Sequence, residues 1–326
     1  MSELPGIDDI HDAAGRIAGL AVRTPLLSSP QIDARFGAQV LFKPECLQRT
    51  GSFKFRGACN AIASLSEADA ARGVVAFSSG NHAQGVAAAA TAFGSSAKIV
   101  MPADAPAIKL GNTAAFGGEV ITYDRYTEDR AAIAAAVADA EGRTLIPPFD
   151  YGPVIAGQGT VGLEIAADLA ARDLTPDIVL CPCGGGGLIA GMSLAVTERF
   201  PDADIWAVEP DGYDDTMRSL RSGTREQADT GQPSICDALL SPSPGELTFA
   251  INERTLAGGI GVAEDKVREA MRVAFRDLKL VVEPGGAVGL AALLSGQPSD
   301  IAGKTVVVVI SGGNVDTALF ADVLGA

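Results

Sequence analysis

Short runs of β-branched apolar residues alternate with alanine-rich stretches along most of the chain. The runs Val74–Phe77, Lys98–Met101, Val120–Tyr123 and Thr144–Ile146 have the length of buried strands, and the stretches between them contain enough alanine to be helical. Because two parallel strands need a crossover, usually a helix, this alternation predicts an α/β fold. The four runs together predict a small domain over residues 73–150.

A second series of strands and helices predicts a large domain formed by residues 1–66 and 151–326. The stretch Arg225–Thr248 within it is rich in proline, serine and glycine and has little periodicity, so we expect irregular chain there. The predicted helices and strands of this series are Thr160–Ala171, Ile178–Cys181, Leu188–Arg199, Ile205–Val208, Thr305–Ile310 and Val315–Leu324.

The charge balance and the rare residue types exclude several classes of function. The chain has 25 Lys and Arg against 40 Asp and Glu, and the net charge of −15 repels nucleic acid and anionic membranes. No apolar run reaches the length of a membrane span. The five cysteines, of which only Cys181 and Cys183 are close together, do not form a disulfide framework or a spaced zinc quartet. They fit a reducing cytoplasm. Since His11 and His82 are the only histidines, most Ser-His-Asp and multi-histidine metal mechanisms are excluded.

Four consecutive glycines, Gly184–Gly187, follow an apolar strand and open a helix. Backbone N–H groups at a helix start attract anions, and glycine lets an anion approach closely, so the loop predicts a phosphate cradle. A dinucleotide site is a second interpretation, because Gly185-x-Gly187-x-x-Ala190 satisfies the G-x-G-x-x-G/A fingerprint and Glu209 ends the next strand about twenty residues later. The loop alone does not decide between them.

Lys54 lies in the first turn of a predicted amphipathic helix that Thr50 or Ser52 is placed to cap. A lysine there opposes the helix dipole, which is a local conflict of the kind expected at functional sites. The flanking Phe53 and Phe55 should desolvate the amine, lower its pKa and favour a nucleophile. An ordinary solvated lysine is the alternative. A desolvated lysine together with a phosphate cradle indicates pyridoxal phosphate.

Two further polar loops stand where predicted strands end. The turn Ser78–His82 follows a strand and offers hydroxyls, an amide and helix-start N–H groups, which suit a substrate carboxylate. Helix capping by Ser78 and Ser79 and a structural role for His82 are the alternatives. Ser311–Asn314 also follows an apolar strand, and α/β sheets bind ligands at the carboxyl ends of their strands.

Six motifs in matching order resemble the threonine/serine dehydratase and serine racemase family of fold-type II pyridoxal-phosphate enzymes. The resemblance covers about residues 20–320 and favours pyridoxal 5′-phosphate over a dinucleotide. It implies two open, twisted, mostly parallel sheets, one in a large and one in a small domain. The motifs are Ser52–Ala58, Ser78–Gly85, Ala156–Thr160, Gly184–Gly187, Glu283–Ala287 and Ser311–Asn314.

The resemblance implies a role for each matching residue. It implies that Lys54 forms the Schiff base, that Asn81 contacts the phenolic oxygen of the cofactor, and that Ser311 meets its pyridine nitrogen. Because serine carries no charge there, the ring is a weaker electron sink, which favours β-elimination over transamination. The implied cofactor-binding residues are Phe53, Lys54, Asn81, Gly184, Gly185, Gly186, Gly187, Leu188, Glu283 and Ser311, and the implied carboxylate-binding residues are Ser78, Ser79, Gly80, Asn81 and His82.

The implied activity is that of a homodimeric ammonia-lyase that converts L-threonine or L-serine to an α-keto acid and ammonia. Ser79 resembles the racemases, in which a serine works on the face of the α-carbon opposite the lysine, so serine racemase is an alternative. 3-Hydroxyaspartate dehydratase is another, although the sequence reveals no basic partner for a second carboxylate. A catalytically silent ligand-binding protein on the same fold is the alternative from a different class, and the intact Lys54, Asn81 and Ser311 argue against it.

The segment Glu209–Asp215 also resembles the divalent-cation loop of this family. The resemblance implies Glu209, Asp215 and the carbonyl of Tyr213 as ligands, a set that suits Mg²⁺, Ca²⁺ or Mn²⁺. A solvated acidic turn is the alternative. The chain departs from the family at Asp237-Ala238, where Asp-Gly is usual, and this leaves the backbone at the cofactor edge undefined.

Overall fold

Helices and strands alternate along the residues that the computed structural model describes, which are 4–105, 107–231 and 233–325. None of these helices is long and apolar enough to cross a membrane. The helices are α1 Ile7–Ile17, α2 Pro30–Phe36, α3 Lys54–Ala63, α4 Glu67–Arg72, α5 Asn81–Ala92, α6 Ala107–Ala115, α7 Arg130–Glu141, α8 Gly152–Ala170, α9 Gly187–Arg199, α10 Asp215–Ser222, α11 Glu246–Thr255, α12 Glu264–Val273, α13 Pro284–Leu294 and α14 Thr317–Gly325. The strands are β1 Leu27–Ser28, β2 Gln39–Pro44, β3 Val74–Phe77, β4 Ala97–Pro102, β5 Gly118–Tyr123, β6 Thr144–Leu145, β7 Ile178–Pro182, β8 Asp204–Pro210, β9 Gly258–Val262 and β10 Thr305–Ile310.

The larger sheet has six strands in the order β1-β2-β10-β7-β8-β9. Only the β1–β2 pair is antiparallel, and the other neighbours run parallel. The apolar run Val306–Ile310 forms the central strand β10 and is fully buried. Helices cover both faces of a parallel sheet, which is why this strand is apolar at every position rather than at alternate ones.

The smaller sheet has four parallel strands in the order β5-β4-β3-β6. All of them lie within residues 73–150, the range predicted for the small domain, whose boundaries stay a prediction. Helix α5 packs against this sheet and against α3, and α3 in turn packs against α8. The predicted fold class, α/β with two mostly parallel sheets, is confirmed.

Among the elements that differ from the sequence-based expectation, two differ for a shared reason. Strand β9 was not predicted, because three of its five residues are glycine and conceal the β-branched pattern. Helix α8 begins at Gly152 rather than Thr160, since glycines near its start lower the helix propensity that the sequence displays. Those glycines serve close packing: a β-carbon on Gly157 would lie 2.7 Å from the Arg56 carbonyl oxygen in α3.

Candidate active site

The carboxyl ends of strands from both sheets open into one cavity of about 510 Å³. Strand β3 ends there at Phe77, β7 ends at Pro182, and β10 leads into Ser311. Since ligands of open α/β sheets bind beyond the carboxyl ends of the strands, this cavity is the candidate active site. The predicted residues that line it are Phe53, Lys54, Ser78, Ser79, Gly80, Asn81, His82, Gly184, Gly185, Gly186, Gly187, Leu188, Glu283 and Ser311.

Lys54 is the first residue of α3 and lines the cavity. Burial lowers the pKa of Lys54 to about 8, because an ammonium group loses its hydration there. Its Nζ donates a hydrogen bond to the Pro148 carbonyl at 2.7 Å and lies 5.1 Å from the centre of the Phe53 ring. Phe55, which was expected to flank the amine, is instead buried in the hydrophobic cluster between α3 and α5. These contacts favour a desolvated lysine over the solvated alternative, and the role of Lys54 stays a prediction.

The start of α3 lacks the predicted side-chain cap. Phe53 occupies the N-cap position, and the hydroxyl groups of Thr50 and Ser52 have no hydrogen-bond partner in the described structure. The prediction that Thr50 or Ser52 caps the helix was wrong for a tertiary reason. The chain before α3 bonds to the loop after β10, with the Phe53 N–H donating to the Ser311 carbonyl at 3.2 Å.

A buried ion cluster holds α3 two residues after Lys54. The Arg56 guanidinium is fully buried and donates to the carboxylates of Glu45 and Glu164, with a shortest N–O distance of 2.7 Å to each. Lys43, also buried, donates to Glu164 at 2.6 Å. Burial raises the pKa of Glu45, but the charge and hydrogen bonds of Arg56 outweigh it and hold that pKa below its usual range. The cluster ties α3 to β2 and α8.

The four glycines form the turn between β7 and α9. Gly186 is the N-cap of α9 with φ of 89°, in the left-handed region that favours glycine. A β-carbon on Gly185 would lie 2.5 Å from the Phe149 ring, so only glycine fits. No side chain caps α9, and its first N–H groups are left for an anion in the cavity. The loop therefore has the properties predicted for a phosphate cradle.

The turn Ser78–Gly80 leads to a second helix start without a side-chain cap. Helix α5 begins at Asn81, and its N-cap Gly80 has no side chain to offer. The Ser78 hydroxyl accepts the Gly80 N–H at 3.2 Å, and Ser79 lines the cavity. The first N–H groups of α5 are thus left for an anion, as expected for a carboxylate site.

The side chain of His82 points to the protein rather than to a ligand. Its Nε2 lies 2.9 Å from the Ile146 carbonyl, to which a neutral imidazole must donate. Burial, together with the nearby Lys54, lowers the pKa of His82 to about 3, so the ring is neutral. The imidazole therefore has the structural role that the sequence analysis gave as the alternative. Only the backbone N–H of His82 remains for a carboxylate.

A row of hydrogen bonds crosses the cavity wall. Asn314 donates from Nδ2 to Asn81 Oδ1 at 2.7 Å, and Asn81 donates from Nδ2 to Glu283 Oε1 at 2.6 Å. Burial, and then the charge of Asp237, raises the pKa of Glu283 to about 7 against the opposing bond from Asn81. Glu283 can therefore hold or release a proton near neutral pH. Asn314 belongs to a motif of the sequence analysis, which gave it no role.

Three basic side chains that the sequence analysis did not assign line the cavity. They are Lys109, Arg130 and Arg225. The sequence revealed no basic partner for a second carboxylate, whereas the structure places these three basic side chains at the cavity. Lys109 forms an ion pair with Asp237, and Arg225 pairs with Glu246 at 2.9 Å. These residues come from separate loops and helices with no shared motif, so nothing local in the sequence indicates that they meet.

The predicted cation loop lies outside the cavity. The Glu209 carboxylate accepts the N–H groups of Thr216 at 2.9 Å and Met217 at 2.8 Å, and it thereby caps α10. Burial raises the pKa of Glu209 to about 8 and that of Asp215 to about 7, and the charge of Asp215 adds to the shift of Glu209. Across residues 4–105, 107–231 and 233–325, no three His, Cys, Asp or Glu side chains gather as metal ligands. The cation stays a prediction.

Comparisons with known proteins identify the family of this chain. A family model described as pyridoxal-phosphate dependent enzyme matches residues 17–312. The chain is 42% identical over 322 residues to an L-threo-3-hydroxyaspartate ammonia-lyase of Pseudomonas sp, and the match covers 99% of each. It is 39% identical over 321 residues to a serine racemase of Schizosaccharomyces pombe, covering 98% of this chain and 97% of the relative.

A solved structure is similar along nearly the whole chain. The crystal structure of T.th. threonine deaminase has a TM-score of 0.90 and 41% sequence identity, and the match covers 96% of this chain and 99% of that one. The resemblance that the six motifs indicated is therefore confirmed. From the match over residues 17–312 and from relatives of this identity, the chain belongs to the family of pyridoxal-phosphate dependent enzymes.

Proposed function

We propose that this protein is an ammonia-lyase for small β-hydroxy amino acids, with L-threonine or L-serine as its substrate. One observation carries the proposal: the Lys54 amine shares a cavity with two helix starts that no side chain caps. The start at Gly187 suits a cofactor phosphate, and the start at Asn81 suits a substrate carboxylate. Two anion sites beside one buried amine are what an amino acid and a phosphorylated aldehyde require.

The residues present fit pyridoxal 5′-phosphate. Lys54 would hold the cofactor covalently, and Gly184–Gly187 with Leu188 would hold its phosphate through backbone N–H groups. Asn81, Glu283 and Ser311 line the same cavity and would contact its ring. Because the Ser311 hydroxyl can accept or donate a hydrogen bond but carries no charge, it would not force a proton onto the ring nitrogen. When bound, the cofactor supplies the electron sink for the negative charge that develops at the α-carbon.

Lys54 is the proposed base. With a pKa of about 8, about a tenth of such amines are neutral at pH 7, against roughly one in three thousand at the ordinary value of 10.5. The N–H groups at the start of α5 would hold the substrate carboxylate while Lys54 takes the α-proton. The β-hydroxyl then leaves as water, for which the Lys54 ammonium can return the proton that it took, and the resulting enamine tautomerises and is hydrolysed to a 2-oxo acid and ammonia. Ser79 is the proposed acid or base on the opposite face in a racemase side reaction.

A substrate panel tests this proposal. Purified protein loaded with pyridoxal phosphate would be supplied with L-serine, D-serine, L-threonine and L-threo-3-hydroxyaspartate in separate assays. The measurements are release of 2-oxo acid, release of ammonia and epimerisation of serine by chiral chromatography. We expect L-threonine or L-serine to give 2-oxo acid and ammonia in equal amounts. Absence of 2-oxo acid from every substrate would refute the lyase proposal, and epimerisation faster than elimination would favour a racemase.

A second candidate substrate is L-threo-3-hydroxyaspartate, and the position of Arg130 favours it. Arg130 lines the cavity and lies over the Phe77 ring, with 5.6 Å from its guanidinium carbon to the ring centre. Among the residues that the structure describes, no carboxylate forms an ion pair with it, whereas Lys109 and Arg225 are both paired. A guanidinium without an anion at a ligand cavity suits a second substrate carboxylate, since arginine can bind one through two hydrogen bonds. Two relatives at 40% and 42% identity are named for that substrate.

Replacing Arg130 with glutamine separates the two substrates. If the acidic substrate binds there, Arg130→Gln should raise KM for L-threo-3-hydroxyaspartate by about ten-fold or more, because a charge-assisted hydrogen bond contributes about 1.5–3 kcal/mol. KM for L-serine should change little. Arg125→Gln is the control, since Arg125 lies five residues before Arg130 in the chain, pairs with Asp104 and does not line the cavity. Equal effects on both substrates would exclude Arg130 as the selecting residue.

We further propose a divalent cation at Glu209, Asp215 and the carbonyl of Tyr213. The observation in its favour is Asp215 Oδ2, which is buried and has no hydrogen-bond partner in the described structure. A second buried acid, Glu209, stands close enough for its pKa to be raised by the charge of Asp215. A hard cation with oxygen ligands would satisfy both acids, and its chemistry would be structural, since the loop does not line the cavity. The homodimer and the cytoplasmic location stay predictions from the sequence.

A further inference from the structure

A carboxylate from the segment that connects the two sheets caps a helix of the larger unit. Asp150 lies between β6 and α8, and its Oδ2 accepts the N–H of Glu246 at 2.9 Å. Its Oδ1 accepts the N–H groups of Leu247 at 2.8 Å and Thr248 at 3.2 Å. These are the first three residues of α11, whose N-cap Gly245 offers no side chain. A remote carboxylate therefore does the work of an N-cap residue.

The segments around Asp150 and Gly245 approach each other closely at this contact. A β-carbon on Gly245 would lie 2.4 Å from Asp150 Oδ1, so a side chain at that position would expel the carboxylate. The φ of Gly245 is −66°, an ordinary value for any residue, so the requirement for glycine is steric. Gly245 and Asp150 thus form a matched pair although they are far apart in the sequence.

Helix α11 in turn holds the glycine loop. The Thr248 hydroxyl donates to the Gly185 carbonyl at 2.7 Å, and the Gly245 N–H donates to the same oxygen at 3.3 Å. Both donors belong to the turn that Asp150 caps. In a trans peptide the C=O and the N–H point in opposite directions, so holding the Gly185 carbonyl toward α11 directs the Gly186 N–H away from α11. The orientation of one peptide of the cradle therefore depends on α11.

The residues before Asp150 contact the other parts of the site. The Pro148 carbonyl accepts the hydrogen bond of Lys54, and the Phe149 ring lies against Gly185. Pro148, Phe149 and Asp150 thus contact the amine, the glycine loop and the helix that supports the loop. We call these three residues the 148–150 segment. It contacts both the amine and the glycine loop.

We infer that Asp150 is a positioning residue for the cofactor phosphate. By capping α11 it keeps Thr248 and Gly245 in place to orient the Gly185–Gly186 peptide, and so it maintains the N–H groups that bind the phosphate. The inference rests on the proposed function, in which the glycine loop binds that phosphate. Loss of Asp150 should therefore weaken binding of a phosphorylated ligand more than binding of the same ligand without phosphate.

The test compares pyridoxal phosphate with pyridoxal, which keeps the aldehyde and lacks the phosphate. Apo forms of the full-length wild type, Asp150→Ala, Asp150→Asn and Asp316→Ala would be titrated with each ligand, and Kd would be measured from the absorbance of the bound ligand. Asp316→Ala is the control for loss of a helix cap away from the cavity, which Asp150 itself lines. The Asp316 carboxylate caps α14 by accepting the N–H groups of Ala318 at 2.8 Å and Leu319 at 3.1 Å, and it does not line the cavity.

We expect Asp150→Ala to raise Kd for pyridoxal phosphate by about ten-fold and Kd for pyridoxal by about two-fold or less, as the loss of one helix cap predicts. Asp150→Asn keeps an acceptor oxygen, so its Kd for pyridoxal phosphate should lie between those of the wild type and Asp150→Ala. Asp316→Ala should have the Kd of the wild type. An equal loss for both ligands, or no loss for either, overturns the inference. Should Asp150→Ala not fold, Asp150→Asn carries the same comparison. Failure of the wild type to bind pyridoxal phosphate would instead refute the proposed function, so the two failures are distinguishable.

Discussion

Replacing Arg56 with leucine removes one of the two cations, Arg56 and Lys43, of the buried cluster that holds α3. Arg56 and Glu45 are both fully buried, so the variant leaves the Glu45 carboxylate without its main partner. The Thr24 hydroxyl, which donates to Glu45 at 2.6 Å, cannot replace a cation. Breaking a buried ion pair by removing one partner costs about 3–5 kcal/mol, and we expect a loss of that size in the free energy of unfolding.

The expected change in melting temperature follows from the size of the protein. An unfolding entropy of about 2.1 cal/mol/K per residue amounts to about 0.7 kcal/mol/K for 326 residues. A loss of about 3–5 kcal/mol therefore lowers the midpoint of thermal unfolding by about 4–7 °C.

The stability that Arg56→Leu loses should also depend on pH, and the pKa of Glu45 determines the direction of that dependence. In the wild type its folded pKa lies below the usual value, so its contribution to stability is present above that value and lost as pH falls through the folded pKa. Without Arg56, burial raises the folded pKa instead. In the variant, the neutral Glu45 carboxyl then contributes its full stability below the unfolded pKa. That stability is lost as pH rises through the raised folded pKa. The deficit of Arg56→Leu should therefore be smaller at pH 5 than at pH 8.

Thermal unfolding followed by circular dichroism at pH 5, 6, 7 and 8 measures both effects. Arg35→Leu is the matched control, because Arg35 pairs with Glu269 at 3.1 Å with 45% of its side chain exposed. An exposed ion pair contributes little, so the control should melt within about 1 °C of the wild type. A deficit of Arg56→Leu that is the same at every pH, or no larger than that of the control, would refute this account of the cluster.

Two further predictions concern the site and a third concerns the cation loop. Lys54→Ala should abolish both the absorbance of lysine-bound cofactor and all release of 2-oxo acid, and retention of either would remove Lys54 from its role. Ser79→Ala should slow the epimerisation of serine at least about ten-fold while elimination continues, because only the acid or base on the second face is lost; a variant that epimerises as fast as the wild type would contradict this. Removal of divalent cations with EDTA should lower the melting temperature, and added Mg²⁺ should restore it; no change in melting temperature or turnover would favour the solvated acidic turn.

The parts of the site that the sequence predicted are contiguous motifs at the ends of strands. Lys54, the loop Gly184–Gly187 and the turn Ser78–His82 each combine a helix start with residues whose chemistry is local, and all three line the cavity. A helix start exposes N–H groups whatever lies around it, so its affinity for anions can be inferred from a short stretch of sequence. The roles given to these residues stay predictions for the experiments above.

Predictions that depended on a distant partner were wrong or missing. Thr50 and Ser52 are ordinary capping residues, yet the Phe53 N–H donates to the Ser311 carbonyl in the loop after β10, and neither hydroxyl caps α3. Arg130 was not recognised as a cavity residue, because its own neighbours along the chain carry no motif. At the start of α3, a tertiary contact took precedence over a local capping preference of about one kcal/mol.

The amino-acid sequence alone determined the alternation of strands and helices, the two sheets and the three anion-attracting or nucleophilic loops, because hydrophobic periodicity and helix-start chemistry act between near neighbours. Only the tertiary structure decided which side chains face those loops. Asp150 reaches α11 across 96 positions of the chain, and Arg56 reaches Glu164 across 108. Such contacts depend on the packing of whole helices and sheets, and no short stretch of sequence contains both partners.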